Sequence, residues 1–291
     1  MPVKSKLKRG IKFVLNNLAP TEKVYPQVTS LAPNELLRGR AALITGGTSG
    51  IGYAMARSFV NAGASVVITG RTAERVGNAV EQLRSELPNG GGISGMAMDV
   101  RHVECIGERF EEVLKMTGKP IDILVNNAGL LGCNFSDGTE ADYDAVLETN
   151  LKGAFFLSQK VAHHMKNNHL KGNILNVASS SSLRPASSAY TLSKWGLRGL
   201  TLGMAKSLAP YGIVVNGIAP GPTATPMLMA GGVKEDVALK SNPTGRYALP
   251  EEIANMAVVL VSNMGRMVVG DIVYMTGGAG LITLDDMDYH F

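Results

Sequence analysis

The chain has 291 residues, 45% hydrophobic and 18% charged, which allows one large packed α/β domain or two small ones and excludes wholesale disorder. Two cysteines, Cys105 and Cys133, exclude a disulfide scaffold and fit a reducing compartment. The net charge of +4 is unevenly held: residues 1–40 carry eight Lys or Arg against two Glu, so the remainder is slightly acidic and is not a basic nucleic-acid binder.

Residues 1–37 read as a basic N-terminal extension. Leu7, Ile11, Val14, Leu15 and Leu18 fall on one helical stripe, with Lys4, Lys8 and Lys12 off it and Pro20 marking its end. No apolar run there reaches the roughly 18 residues of a membrane span. Lys12, Asn16 and Asn17 interrupt it too much for a secretion signal. Two placements stay open: packing on this protein or a sister subunit, which is the blander reading, or contact with an anionic membrane surface. The lack of export and spanning signals predicts a cytoplasmic protein.

From residue 38 the texture changes. "RAALIT", "ASVVITG", "ISGMAMDV", "IDILVNNAG", "NILNVAS", "GIVVNGIAPG" and "GDIVYMTGG" read as strands. Helical spacing follows in residues 53–63, 72–87, 139–169, 188–209 and 250–263. Strands alternating with helices predict a parallel sheet of about seven strands in one domain, residues 38–291. The five histidines show no metal-ligand spacing, and no G-x-S-x-G elbow supports a hydrolase. The tail acids Asp285, Asp286 and Asp288 read as solvated or subunit-contacting before they read as a metal site.

"TGGTSGIG", Thr45 to Gly52, lies directly between the first strand and the first helix. A turn in that place offers backbone N–H groups and the positive end of a helix to a phosphate. Gly46 permits the sharp turn, Gly50 a close backbone approach and Gly52 tight packing; Thr48, Ser49 and Ile51 complete the loop. An acid binding a ribose 2′-hydroxyl is expected at the end of the second strand, but Thr69-Gly70-Arg71 stands there. Arg71 can pair with a 2′-phosphate, which favours NADP(H) over NAD(H); the alternative is a solvated loop arginine.

Tyr190 and Lys194 are four residues apart in a predicted helix and so share a face. No other tyrosine has a lysine at that spacing. A tyrosine with an ordinary pKa of about 10 is a poor acid or base at neutral pH, and a neighbouring ammonium favours its phenolate. The pair could donate a proton to a carbonyl under reduction; the alternative is a chance pairing on an ordinary helix. The serines of "NVASSSS" end the preceding strand, where hydroxyls can meet a substrate oxygen or merely form a turn.

Taken together, these residues resemble the short-chain dehydrogenase/reductase family over about residues 38–280. "TGGTSGIG" matches its TGxxxGxG turn, "NNAG" (Asn126 to Gly129) the motif after strand four, and Tyr190 and Lys194 its YxxxK pair. "NPTGRYALPEEIANMAVVLVS" adds likeness to 3-oxoacyl-carrier-protein reductases. The resemblance implies a Rossmann-type doubly wound fold. It implies that Asp99 and Val100 border the adenine, that Asn127, Ala128 and Gly129 line the cofactor, and that Pro220, Gly221 and Thr225 lie near the nicotinamide. It makes Asn150, Ser179, Tyr190 and Lys194 the catalytic set. Ser179 orients the carbonyl, Tyr190 gives the proton, Lys194 lowers the tyrosine pKa and holds the nicotinamide ribose, and Asn150 supports a water that carries protons to Lys194. Ser179 stands slightly closer to Tyr190 than the family's usual serine, so Ser180 and Ser181 remain alternatives.

The expected activity is NADPH-dependent reduction of a ketone to a secondary alcohol, in a homodimer or homotetramer, without metal. Residues 222–245 are expected to form a lid, with Met227, Leu228, Met229 and Val233 offering apolar contacts to a small-molecule substrate. The rival readings are a nucleotide-sugar epimerase or dehydratase, whose glycine spacing Gly46, Gly50 and Gly52 do not fit, and a non-enzymatic NADP sensor or scaffold, which expects a broken catalytic set.

Overall fold

The structure, a computed structural model, describes residues 23, 25, 34–87, 92–229 and 236–282. Seven parallel strands form one sheet in the order β3-β2-β1-β4-β5-β6-β7. They are β1 Ala41–Ile44, β2 Ser65–Gly70, β3 Ile93–Ala97, β4 Ile123–Asn126, β5 Asn173–Val177, β6 Val214–Pro220 and β7 Ile272–Met275. Each strand stands where an apolar run was read. The runs are near-continuous because both faces of the sheet are covered. Ala42, Ile44, Val66, Ile68, Ile123 and Val125 pack into one core, and Leu43, Val67 and Leu124 into the other.

The helices are α1 Gly50–Asn61, α2 Ala73–Glu86, α3 Ile106–Thr117, α4 Glu140–Leu147, α5 Gly153–Asn167, α6 Ala189–Leu208 and α7 Pro250–Val261. α1, α2 and α7 cover the first core, while α3, α5 and α6 cover the second. Two features depart from the reading above. Helix α3 was not anticipated, although Ile106, Phe110 and Val113 lie at helical spacing, are buried, and precede Gly118 at φ 60°. The stretch expected as one helix, 139–169, is broken by a π-helical turn, Glu148–Lys152, which buries Thr149 and Asn150. Such turns recur at functional sites because they re-aim single side chains.

The join to the extension is packed. Leu37 is fully buried in the first core, and the Leu37 and Asn34 amides donate to Ala62 and Asn61. The predicted stripe at residues 7–18, Val233 and the tail acids lie outside the described residues. Sheet order reverses on the two sides of β1, between β2 and β4. In open parallel sheets ligands bind at such a switch point, beyond the carboxyl ends of the strands.

Candidate active site

The glycine turn closes the carboxyl end of β1. Gly46 and Gly50 have φ of 65° and 56°, where a side chain is strained. A Cβ on Gly46 would stand 2.9 Å from the Ala128 backbone, and one on Gly50 would stand 3.3 Å from the Thr225 methyl. Gly52 is pressed instead against the Asn127 amide and the Gly46 carbonyl. Asn127 braces the turn with its side chain: Nδ2 donates to the carbonyls of Thr45 and Gly46, both at 2.9 Å. Thr45 Oγ1 receives the amides of Asn127 (3.0 Å) and Ala128 (3.1 Å), so it joins β1 to the β4 loop. The sequence reading passed over Thr45, although it is the first residue of the motif.

The start of α1 fits an anionic group. Thr72 and Ser188 cap α2 and α6 with their side chains, whereas Ser49 makes no side-chain cap on α1, and no acid occupies the first turn. The free amides and the helix dipole are left for a phosphate. Beside them, Gly70 at the end of β2 packs on Thr48, with a hypothetical Cβ 2.7 Å from the threonine methyl. Arg71 follows, exposed. Asp99 is held by Arg101, which grips both carboxylate oxygens at 2.7–3.1 Å and keeps its pKa below the ordinary range. Val100 is buried and receives Gly153, where a Cβ would meet the Val100 carbonyl at 2.7 Å. Pro220 ends β6, Gly221 donates to Met275 at 3.0 Å, and Thr225 is nearly buried above Gly50.

The second half of the site hangs on α6. Ser188 caps the helix by accepting the Thr191 amide at 3.1 Å, which places Tyr190 and Lys194 in successive turns at its start. Lys194 is 4% exposed; its Nζ donates to the Val177 carbonyl at 2.8 Å and lies 5.5 Å from the Tyr190 ring centre. Burial lowers its pKa to about 8. Burial pushes the Tyr190 phenol up, and a hydrogen bond with Ser179 opposes that shift. Within the serine cluster, Ser179 is therefore the member brought to Tyr190. Its Oγ also accepts the Ser181 amide at 3.1 Å, while Ser182 turns to the Ser179 carbonyl and the Tyr274 hydroxyl.

Asn150 is 1% exposed in the π-helical turn. Its Oδ1 accepts the Leu130 amide at 2.7 Å, and its Nδ2 donates to the Leu130 carbonyl and to Ser193 Oγ, both at 3.0 Å. Ser193 in turn donates to the Tyr190 carbonyl at 2.6 Å. Ser193 was missed in the sequence, where it is one more serine beside a lysine. A Cβ on Gly129 would stand 3.5 Å from Asn150 Oδ1 and 3.9 Å from Lys194 Nζ, so Gly129 keeps open the space between them.

The segment expected to form a lid differs from expectation at one described residue. Met227 and Leu228 are exposed, but Met229 packs with Ala224, Val237 and Leu249 in a small separate core. Asn242 anchors the far end of the lid by donating to the Thr276 carbonyl at 3.0 Å. Among the described residues no group of acids, histidines and cysteines is placed to hold a metal.

A glycine cradle at an uncapped helix, facing a half-buried tyrosine and a buried lysine across a parallel sheet, defines an NAD(P)(H)-dependent oxidoreductase of the doubly wound class. The short chain dehydrogenase model matches residues 40–236, and the chain belongs to that family. It is 34% identical over 248 residues to a 3-oxoacyl-[acyl-carrier-protein] reductase of Aquifex aeolicus, covering 83% of this chain and 98% of that one. It is 35% identical to the gluconate 5-dehydrogenase of Gluconobacter oxydans, covering 83% and 95%. A short chain dehydrogenase from Burkholderia cenocepacia, solved in complex with NADP, is 32% identical with a TM-score of 0.72, covering 83% of this chain and 98% of that one. The protein is thus an oxidoreductase acting between CH–OH and C=O groups, and the epimerase and scaffold readings are not favoured.

Proposed function

We propose that the protein reduces a partly apolar ketone with NADPH, using Tyr190 as proton donor. The observation that carries this reading is the chain Asn150–Ser193–Tyr190 beside Lys194, with Ser179 bonded to the tyrosine. The residues of the cradle fit a dinucleotide. Gly46, Gly50 and the uncapped amides of α1 would receive its pyrophosphate, Thr48 and Arg71 its 2′-phosphate, and Asp99 and Val100 would flank its adenine. The cofactor, when bound, supplies the hydride.

The protein's own part is proton and charge handling. Ser179 donates to the substrate oxygen and holds the carbonyl against Tyr190. Charge grows on that oxygen in the transition state, so donors already aimed there stabilise it most. Tyr190 then releases its proton. Lys194, charged below about pH 8, favours the resulting phenolate electrostatically. Its present partner is the Val177 carbonyl, and holding the nicotinamide ribose is its second proposed role. Asn150 supports the route by which a proton returns to Lys194.

Exposed Met227 and Leu228 fit an apolar part of the substrate, as an acyl chain would offer. The pair also fits other apolar ketones. Phe155, Phe156, Leu192, Trp195 and Leu202, exposed on α5 and α6, support assembly into a homodimer or homotetramer through these helices. Free Cys105 and Cys133 fit the cytoplasm.

The test is titration of the protein with NADPH and NADH, followed by nicotinamide absorbance with a panel of ketones including oxoacyl thioesters. Tight NADPH binding with oxidation by one ketone supports the reading. Failure to bind either nucleotide overturns it.

A further inference from the structure

We propose that the edge of the sheet opposite the active site docks on an anionic lipid bilayer. The observation is a gathering of exposed cations without ion pairs at one edge of the fold. All strands run the same way, so the turns entering them and the carboxyl-terminal ends of the helices gather at one edge. Lys115, Lys119, Lys166, Lys171, Lys206 and Arg266 lie there, exposed. None of the six forms an ion pair among the described residues. The acids of the same edge are almost all neutralised: Glu35 by Arg38, Glu86 by Arg57 and Asp122 by Arg40. Among the described residues Asp271 alone of these acids keeps no cation, and its carboxylate accepts the Ile272 amide.

Cations at helix ends complement helix dipoles, which accounts for Lys115, Lys166 and Lys206. It does not account for Lys119, Lys171 and Arg266, which stand in the turns before β4, β5 and β7. Nor does it account for the apolar side chains set among them. Met116 is 43% exposed, Tyr211 46%, Met264 68% and Met267 93%. Flexible apolar groups interleaved with lysines match the boundary between lipid headgroups and acyl chains, where apolar tips enter and cations meet phosphates. A nucleic acid would use the cations and leave the methionines in water.

The extension joins at the same edge, since Asn34 bonds to Asn61 at the end of α1. Residues 1–33 carry six Lys or Arg against one Glu, and their sequence holds the apolar stripe from Leu7 to Leu18. Docked this way, the carboxyl ends of the strands, with Tyr190 and the lid, face the aqueous phase and stay open to substrate.

The experiment is sedimentation of the full chain with vesicles of phosphatidylcholine alone and of phosphatidylcholine with about one-third phosphatidylglycerol, at low and at about 0.5 M salt. NADPH binding by each variant is measured in parallel as a check on folding. Binding is expected to the anionic vesicles only, and to weaken at high salt. Lys119→Ala and Lys171→Ala should each lower vesicle affinity about fivefold. Met267→Asp should lower it further and keep the oligomeric mass unchanged. The proposal is overturned if anionic vesicles are not bound. It is equally overturned if these body variants bind like the parent while Lys4, Lys8 and Lys12 changed together to Glu abolish binding, because the extension would then act alone. A change of oligomeric mass in Met267→Asp would make the face a subunit contact. Binding of duplex DNA that is indifferent to Met267→Asp would make it a general polyanion site.

Discussion

The proposed cofactor half and the proposed substrate half of the site are built from different materials. The first, from Thr45 to Arg71 with Asn127 to Gly129, is made mostly of backbone: glycines at positive φ, uncapped amides and a side-chain brace on two carbonyls. The second, from Asn150 to Lys194, is made mostly of side chains that reach one another from the π-helical turn, the loop after β5 and α6. A backbone site tolerates many neighbours, since it asks only for room and conformation. A side-chain site asks that buried polar groups find partners, and leaving one unmade costs about 1–3 kcal/mol. The first half should therefore govern binding, and the second should govern rate.

Tyr190→Phe tests that division most severely. The phenol's hydrogen bond with Ser179 is lost, but the ring still fills its place beside Lys194. Turnover should fall by about 10²–10⁴, the usual reach of a general acid, with the fold and NADPH affinity kept. Stopped-flow hydride transfer and a nucleotide titration on the same sample separate the two. Retained turnover would remove Tyr190 from the chemistry.

Lys194 gives a second test, through pH. Its pKa is lowered from 10.5 to about 8 in the folded chain. Below about pH 8 both folded and unfolded chains hold the proton, and the folded one bears the full cost of the buried charge. Between about 8 and 10.5 the unfolded chain still holds a proton that the folded one has released, so stability rises with pH. The difference amounts to about 3 kcal/mol for an ammonium this deeply buried. Lys194→Met, inactive, should be the more stable protein at pH 7 and lose that advantage towards pH 10, as read by urea midpoints. A constant difference across that range would remove the desolvated ammonium from the account.

The two halves also differed in how well they could be read. All seven strands were visible: the five central ones because a strand buried on both faces is written as a largely apolar run, and the half-buried edge strands β3 and β7 from their place in the strand-helix alternation. The glycine turn was visible because its place between a strand and a helix limits what it can do. Helix α3 was legible and went unread: Ile106, Phe110 and Val113 carry the spacing, but Gly107 and the acids between them dilute it. The π-helical turn at Glu148–Lys152 left no local mark, since its extra residue is settled by packing of Gly153 on Val100 and by Thr149 bonding to Ala145 at 2.8 Å. Ser193 gains its meaning only when Asn150, 43 residues earlier, is brought against it. Met229 could not be told from Met227 and Leu228 by composition, because only the folded lid decides which of them turns inward.

Ser193 allows the side-chain half to be examined from within. Removing its hydroxyl leaves Asn150 Nδ2 with the Leu130 carbonyl alone and frees the Tyr190 carbonyl from a 2.6 Å bond. Ser193→Ala should lower kcat about tenfold to a hundredfold, a cost of about 1.5–3 kcal/mol, and leave the KM for NADPH unchanged. If Ser193 acts through Asn150, then adding Asn150→Ala should cost much less than the sum of the single changes. Additive losses would make Ser193 a packing residue, and a raised KM for NADPH would move it into the cofactor half.

The smallest effect is expected at Arg71, and it bears on the backbone half. The side chain is exposed, so its interaction with a 2′-phosphate is screened by water and salt. Arg71→Ala should weaken NADPH about tenfold, near 1.4 kcal/mol, as one charge-assisted contact in a solvated position. NADH lacks the phosphate, so its affinity should stay as it was. That difference separates a recognition residue from a structural one, because a disturbed turn would weaken both nucleotides alike. If NADPH loses nothing, Arg71 does not recognise the 2′-phosphate, and any preference for NADPH would rest on Thr48 and the amides of the turn.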